Sequence, residues 1–168
     1  MTTPRVYVGT YAKYASGSIA GQWLDLDDYA DADAFAEACA KLHKNEADPE
    51  FMFQDYEGFP KAFYSESSIN PELWEWLELD EDDRELLEAY QEAIDAEGTI
   101  EQARDAFHGV HDSEKDFAAE LAEETGGLEN VPQWLQCHID WEGVARDMGY
   151  DGWTFHRTPK GVYVFSPN

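Results

Sequence analysis

Residues 78–97, ELDEDDRELLEAYQEAIDAE, hold ten carboxylates and one Arg. Leu86, Leu87, Tyr90 and Ile94 fall on one face of a 3.6-residue repeat, and Glu81, Glu85, Glu88, Glu92 and Asp95 on another. The spacing predicts an amphipathic helix from about Asp80 to Ala96, ended by Gly98. Placed between ends that read as strands, this helix makes the chain α+β rather than all-β. Like charge at this density costs free energy. A solvated face, adaptation to salt, metal binding or imitation of another polyanion would each account for it.

The density can be put on a scale. Asp80 to Asp95 holds eight acids and one Arg, a net of −7. Sixteen residues at 1.5 Å rise span about 24 Å, so the helix carries one net charge per ~3.4 Å. Each strand of duplex DNA carries one phosphate per ~3.4 Å. An ordinary acidic helix with a solvated face comes within a factor of two of the same value.

Outward toward the N-terminus, PELWEWLEL (71–79) reads as a helix, after a loop holding Pro60 and Pro71. FMFQDYEG (51–58) reads as a strand, and Asp31 caps a helix to about Lys44 with Phe35, Cys39 and Leu42 on its apolar stripe. RVYVGTYAKY (5–14) and SIAGQWLDL (18–26) read as two strands joined at Ala15-Ser16-Gly17. Toward the C-terminus, Thr99 caps a short helix to Phe107, ended by Gly109, and Val110-His111 reads as a short strand. Ser113 caps a helix to Thr125, and IDWEGVARDMG (139–149) is another. GWTFHR and GVYVFS form a closing hairpin around Thr158-Pro159-Lys160. The expected division is three small domains: 1–60, an antiparallel β-sheet with one helix; 61–108, helical and acidic; 109–168, mixed α+β.

Composition limits the function. The chain has 168 residues, 43% hydrophobic and 14% aromatic, too rich for a disordered acidic tail. Its net charge of −26 repels nucleic acid and anionic membranes and attracts basic surfaces. Residues 1–24 contain no acid, whereas 75–124 contain nineteen against three cations. Cys39 and Cys137 suggest core thiols in a reducing cytoplasm rather than a disulfide framework. The start, MTTPRVYVGTYAKY, has no long apolar run, so neither a signal peptide nor a membrane helix is expected.

Several motifs fall short. In DLDDYADAD, a calcium loop begun at Asp25 would place Ala30 and Ala36 where Gly and a carboxylate are required. His108, His111 and Asp112 lack zinc spacing and have no cysteine pair. GTYAKYASGSIAG fits neither a P-loop nor a dinucleotide fingerprint. Pairs of carboxylates for glycosidase chemistry can be drawn at will from 37 acids, so that signal has no specificity.

RVYVGTYAKYASGSIAGQWLDLDDY, FMFQDYEG, ELWEWLELDEDDRELLEAYQE, DFAAELAEETG and IDWEGVARDM together resemble the ArdA antirestriction proteins, in the family's order and at about its length. Segments 59–69 and 126–138 lie outside the matching blocks. The resemblance implies three small domains in an elongated, curved arrangement that dimerises through the third. It implies a mimic of B-form DNA that competitively occupies the DNA-binding groove of type I restriction–modification enzymes, on the methyltransferase and specificity core. It implies no catalysis, no cofactor, no metal and no direct nucleic-acid binding. Under that reading carboxylates replace phosphates. Those on 80–96 come first: Asp80, Glu81, Asp82, Glu85, Glu88, Glu92 and Asp95. Glu101, Asp105, Asp112, Glu114, Asp116, Glu120, Glu123 and Glu124 follow, and Asp25, Asp27, Asp28, Asp31 and Asp33 extend the strip into the first domain. In the last third, Trp134, Leu135, Trp153, Phe155, Tyr163, Val164 and Phe165 divide between internal packing and a two-fold interface.

Three other classes compete. A salt-adapted globular enzyme would spread its acids evenly, against the acid-free first 24 residues. An enzyme using a few acids would show a pocket with perturbed carboxylates. An acidic chaperone or other module for a basic protein shares the charge pattern and differs only in the resemblance.

Overall fold

In the computed structural model, β1 (Arg5–Thr10) is the centre of a three-stranded antiparallel sheet, between β2 (Gln22–Asp25) and β3 (Phe51–Glu57). Residues 2–167 are described. Val6 and Val8 point to one face of β1 and are fully buried. On that face they meet Phe35 and Cys39 of α2 (Ala32–Leu42), together with Leu26 and Phe53. Asp31 starts α2 as expected, its carboxylate accepting from Ala34 N at 2.8 Å. Against β3 the register slips between Tyr7 and Val8, a β-bulge that leaves Gln54 as the extra residue.

The strand expected through Tyr14 stops at Thr10. The Thr10 hydroxyl accepts from Lys13 N at 3.2 Å and caps a single turn, α1 (Tyr11–Ala15). The second strand is also shorter than SIAGQWLDL. Gly21 lies so close to β1 that a Cβ there would stand 2.3 Å from Val8 O. Lys13 on α1 reaches the end of α2: its Nζ is 2.6 Å from His43 Nδ1, and His43 Nε2 donates to Val8 O at 3.0 Å. A carbonyl only accepts, so Nε2 carries the proton and Nδ1 receives the lysine. α3 (Leu73–Glu78) buries Leu73 and Trp74 in the same core, and Trp74 Nε1 donates to Tyr29 O at 3.1 Å.

From Glu81 on, a second unit forms around β6 (Gly161–Phe165), the centre of a sheet with β4 (Phe107–His111) and β5 (Thr154–Thr158). Val162 and Val164 face Phe117 of α6 (Glu114–Glu124) and Met148 of α8 (Trp141–Tyr150). Tyr163 and Phe165 face the opposite way, onto Leu86, Ala89 and Tyr90 of α4 (Glu81–Ala93) and Ala103 and Ala106 of α5 (Ile100–Ala106). Strand alternation thus feeds two cores from one strand. α5 begins with a full capping box between Thr99 and Gln102, and α6 is capped by Ser113, as expected for both.

The structure is therefore α+β, with eight α-helices and two small antiparallel sheets among the described residues. The sequence divides it in three, at about 60 and 108. In the fold, α3 shares the core of the first sheet, while α4 and α5 share a core of the second.

Two further expectations are corrected here. Ile94 is exposed, because α4 ends at Ala93 and the chain turns over Tyr90, whose carbonyl receives both Ile94 N and Asp95 N. Gly98 closes that turn against the Tyr90 ring, where a Cβ would stand 2.4 Å from Cε1. Cys137 is exposed rather than in a core, at the end of the one-turn α7 (Gln133–Gln136), with its thiol directed at Trp134 O.

Candidate partner-binding surface

α4 carries the densest charge. Glu81, Asp82 and Asp83 occupy its first turn, where carboxylates meet the positive end of the helix dipole. Glu81, Asp82, Glu88 and Glu92 are exposed, whereas Glu85 is half-buried. The thirteen residues hold six acids and one Arg, a net of −5. Over about 20 Å of helix this is one charge per ~3.9 Å. Asp95 leaves the row: it lies beyond the helix end, and its Oδ1 accepts from Glu97 N at 3.0 Å within the turn.

The row is not uniform. Lys160, from the β5–β6 turn, sets its Nζ 2.5 Å from Glu85 Oε2 and 3.8 Å from Asp82 Oδ1. Tyr163 Oη donates to the same Glu85 oxygen at 3.5 Å. His156 Nε2 is 3.1 Å from Glu92 Oε2, and Arg104 pairs with Asp83. The hydrogen bond to Glu85 raises the Lys160 pKa above its usual value; burial first, and Glu85 second, raises that of Tyr163. Glu85, Glu88, Glu92, His156 and Lys160 together line a shallow groove of about 140 Å³. Lys160, His156 and Arg104 were missed in the sequence. No local pattern announces them, since His156 and Glu92 are 64 positions apart.

The remaining carboxylates sit on neighbouring elements of the same unit. Glu101 and Asp105 are exposed on α5, and Asp112 precedes the Ser113 cap. On α6, Glu114 is half-buried in the first turn, while Asp116, Glu120, Glu123 and Glu124 are exposed. Glu120 Oε2 lies 3.2 Å from His111 Nδ1. In the first unit Asp25 ends β2, Asp27 and Asp28 lie in a 3-10 turn, Asp31 caps α2, and Asp33 is in its first turn. Asp80 is exposed after α3. Eighteen of the twenty candidate carboxylates are exposed, Glu85 and Glu114 being the exceptions. The structure brings the α4, α5 and α6 groups into one unit and holds the 25–33 group in the other.

DLDDYADAD thus serves as a strand end, a turn and a helix start. Among the described residues no group of three His, Cys, Asp or Glu stands ready for a metal ion. No helix among them is long and apolar enough to cross a membrane. No curated protein matches the chain. The family model described as Antirestriction protein (ArdA) matches residues 6–164, from β1 into β6. A match of that extent, spanning both sheets and the eight helices of the described residues, places the chain in the ArdA family of antirestriction proteins.

Proposed function

We propose that the protein inhibits type I restriction–modification enzymes by presenting carboxylates in place of DNA phosphates, competing for their DNA-binding groove without catalysis. One observation carries this reading: eighteen of twenty candidate carboxylates are exposed, and α4 alone sets out net charge at nearly the spacing of one DNA strand. Binding DNA releases condensed counterions, and a folded acidic protein has fewer to release. Its advantage must then come from a surface held in shape before binding. Lys160 and Arg104 pair with Glu85 and Asp83 and lower the net charge of the row.

The test is capture of the protein on a purified type I methyltransferase core, with and without duplex DNA. Duplex DNA is expected to displace it. Simultaneous binding of both, without mutual loss of affinity, would overturn the reading. The same reading makes the protein a cytoplasmic homodimer joined through its last third. Two chains of −26 must meet where local charge is low, so salt is expected to strengthen the dimer in sedimentation. A monomer at every salt concentration would remove the dimer from the proposal.

A further inference from the structure

We infer that the open face of the first sheet is a seat for an arginine side chain of a basic protein partner. Val6 and Val8 are buried on one face of β1, so Arg5 and Tyr7 lie on the other. Register places Asp25 and Glu57 on either side of Arg5, and Trp23 and Asp55 on either side of Tyr7. Asp25 and Asp55 are exposed and the other four half-buried, so this face is open to solvent. Tyr7 meets the Trp23 ring edge-on at 5.6 Å, and its hydroxyl donates to Ile19 O at 2.8 Å.

Aromatic rings on an open sheet face commonly stack nucleic-acid bases. Here three carboxylates surround the rings on a chain of −26, which repels phosphate. The same rings attract a cation through their negative faces. The face already shows how one sits: the Arg5 guanidinium carbon is 4.7 Å from the Trp23 ring centre, while Arg5 Nε and Nη2 reach Glu57 Oε2 at 2.9 and 2.8 Å. Arg5 and Glu57 are 40% and 39% exposed, so the internal guanidinium lies at the surface and is exchangeable. Three acids against one Arg leave Asp25 and Asp55 for an incoming cation. A planar guanidinium stacks on a ring while hydrogen-bonding in its own plane, which an ammonium does not, so the seat selects Arg over Lys.

The inference deepens the proposed function by giving the first unit an arginine-reading contact. It does not require the partner to be a restriction enzyme. The ¹⁵N-labelled 168-residue chain is titrated with hexa-arginine, hexa-lysine and a single-stranded oligonucleotide at about 0.15 M salt, following the Trp23 indole N–H. Hexa-arginine is expected to move that resonance saturably, roughly two- to fivefold more tightly than hexa-lysine. The oligonucleotide is expected to leave it in place. Arg5→Ala vacates the seat and tightens hexa-arginine binding; Trp23→Leu removes the preference for Arg over Lys, with unchanged Val6 and Val8 methyl resonances showing an intact fold. A stationary Trp23 signal while α4 amides shift overturns the inference, as does an equal response to both peptides. A response to the oligonucleotide, or to protein concentration alone, overturns it in favour of nucleic acid or a second copy. If duplex DNA and the protein bind a type I core together while hexa-arginine still seats on Trp23, the proposed function fails and this contact stands.

Discussion

The two sheets share a plan and differ in what covers them. Each sets three antiparallel strands around a central one, β1 in the first and β6 in the second. β1 buries Val6 and Val8 and leaves Arg5 and Tyr7 half-buried on an open face. β6 buries Val162, Tyr163, Val164 and Phe165, with helices on both sides. The difference decides where charge can go. A sheet covered on one face keeps polar groups on the other, and the first unit holds Asp25, Asp55 and Glu57 on its strands. The second unit, with both faces of β6 covered, carries thirteen of its twenty-one acids on α4, α5 and α6. Residues 1–80 contain sixteen acids and five cations, net −11; residues 81–168 contain twenty-one and six, net −15. Comparable charge is thus laid out on two different kinds of surface.

The two sheets differ most at their central strands. Phe165→Ala removes a fully buried ring between α4, α5 and β4, and is expected to destabilise the second unit by about 3–5 kcal/mol. Tyr7→Ala removes an edge-on contact with Trp23 at an open face, and is expected to cost the first unit about 1 kcal/mol. Urea unfolding of both variants, with a separate probe in each unit, checks the ratio. Equal losses would mean that the first sheet is covered on both faces after all.

The two cysteines differ in the same way, one buried and one exposed. Burial pushes the Cys39 thiol up from 9.0 to about 12, whereas Cys137 is exposed. Raised in the fold, Cys39 contributes stability that is fully present below pH 9 and is lost as pH climbs through about 12. The unfolded thiol ionises first, so the first unit is expected to lose about 1.4 kcal/mol by pH 10. Tyr29 and Tyr64, raised from 10.0 chiefly by burial, add a loss of the same sign above pH 10. In Cys39→Ala the fall between pH 9 and 10 is expected to flatten, and iodoacetamide is expected to label Cys137 of the native protein long before Cys39. An unchanged alkaline slope in Cys39→Ala would remove Cys39 as its source.

These contrasts were legible to different depths. Signals that act within four residues read correctly: the caps at Asp31, Thr99 and Ser113, and the stripe of Leu86, Leu87 and Tyr90. GVYVFS read correctly as a strand of the closing hairpin, but its burial on both faces depends on helices packed from elsewhere in the chain. The end of α4 did not read correctly. Ile94 keeps the apolar period, yet the Tyr90 ring and Gly98 turn the chain away one residue earlier. α1 was hidden because a Thr cap competes with a strand that would otherwise continue. The acids of α4 were legible as a row, but their division into paired and outward members was not. That division depends on Lys160 and His156, brought in by a hairpin far along the chain.

The smallest expected effects lie within α4 itself, where a paired acid and an outward one are three residues apart. Glu88 is exposed and lines the groove, while Glu85 is held by Lys160 and Tyr163. If the surface acts through its summed field on a basic groove, each single change is worth roughly fivefold or less in affinity for a type I core. Glu88→Gln removes one negative charge and is expected to weaken binding slightly. Lys160→Gln removes a positive charge from the same groove and is expected to strengthen it slightly, even though an ion pair is lost. The opposite signs matter more than the sizes. A surface that depends on Lys160 to hold Glu85 in one position would lose affinity in Lys160→Gln, and the loss would persist at high salt. A surface that depends on net charge would gain affinity at low salt, and the gain would shrink as screening shortens to about 8 Å at physiological ionic strength. Titrating the two variants across a salt series separates these cases. A single substitution that abolished binding with the fold intact would replace the distributed surface by one dominant contact.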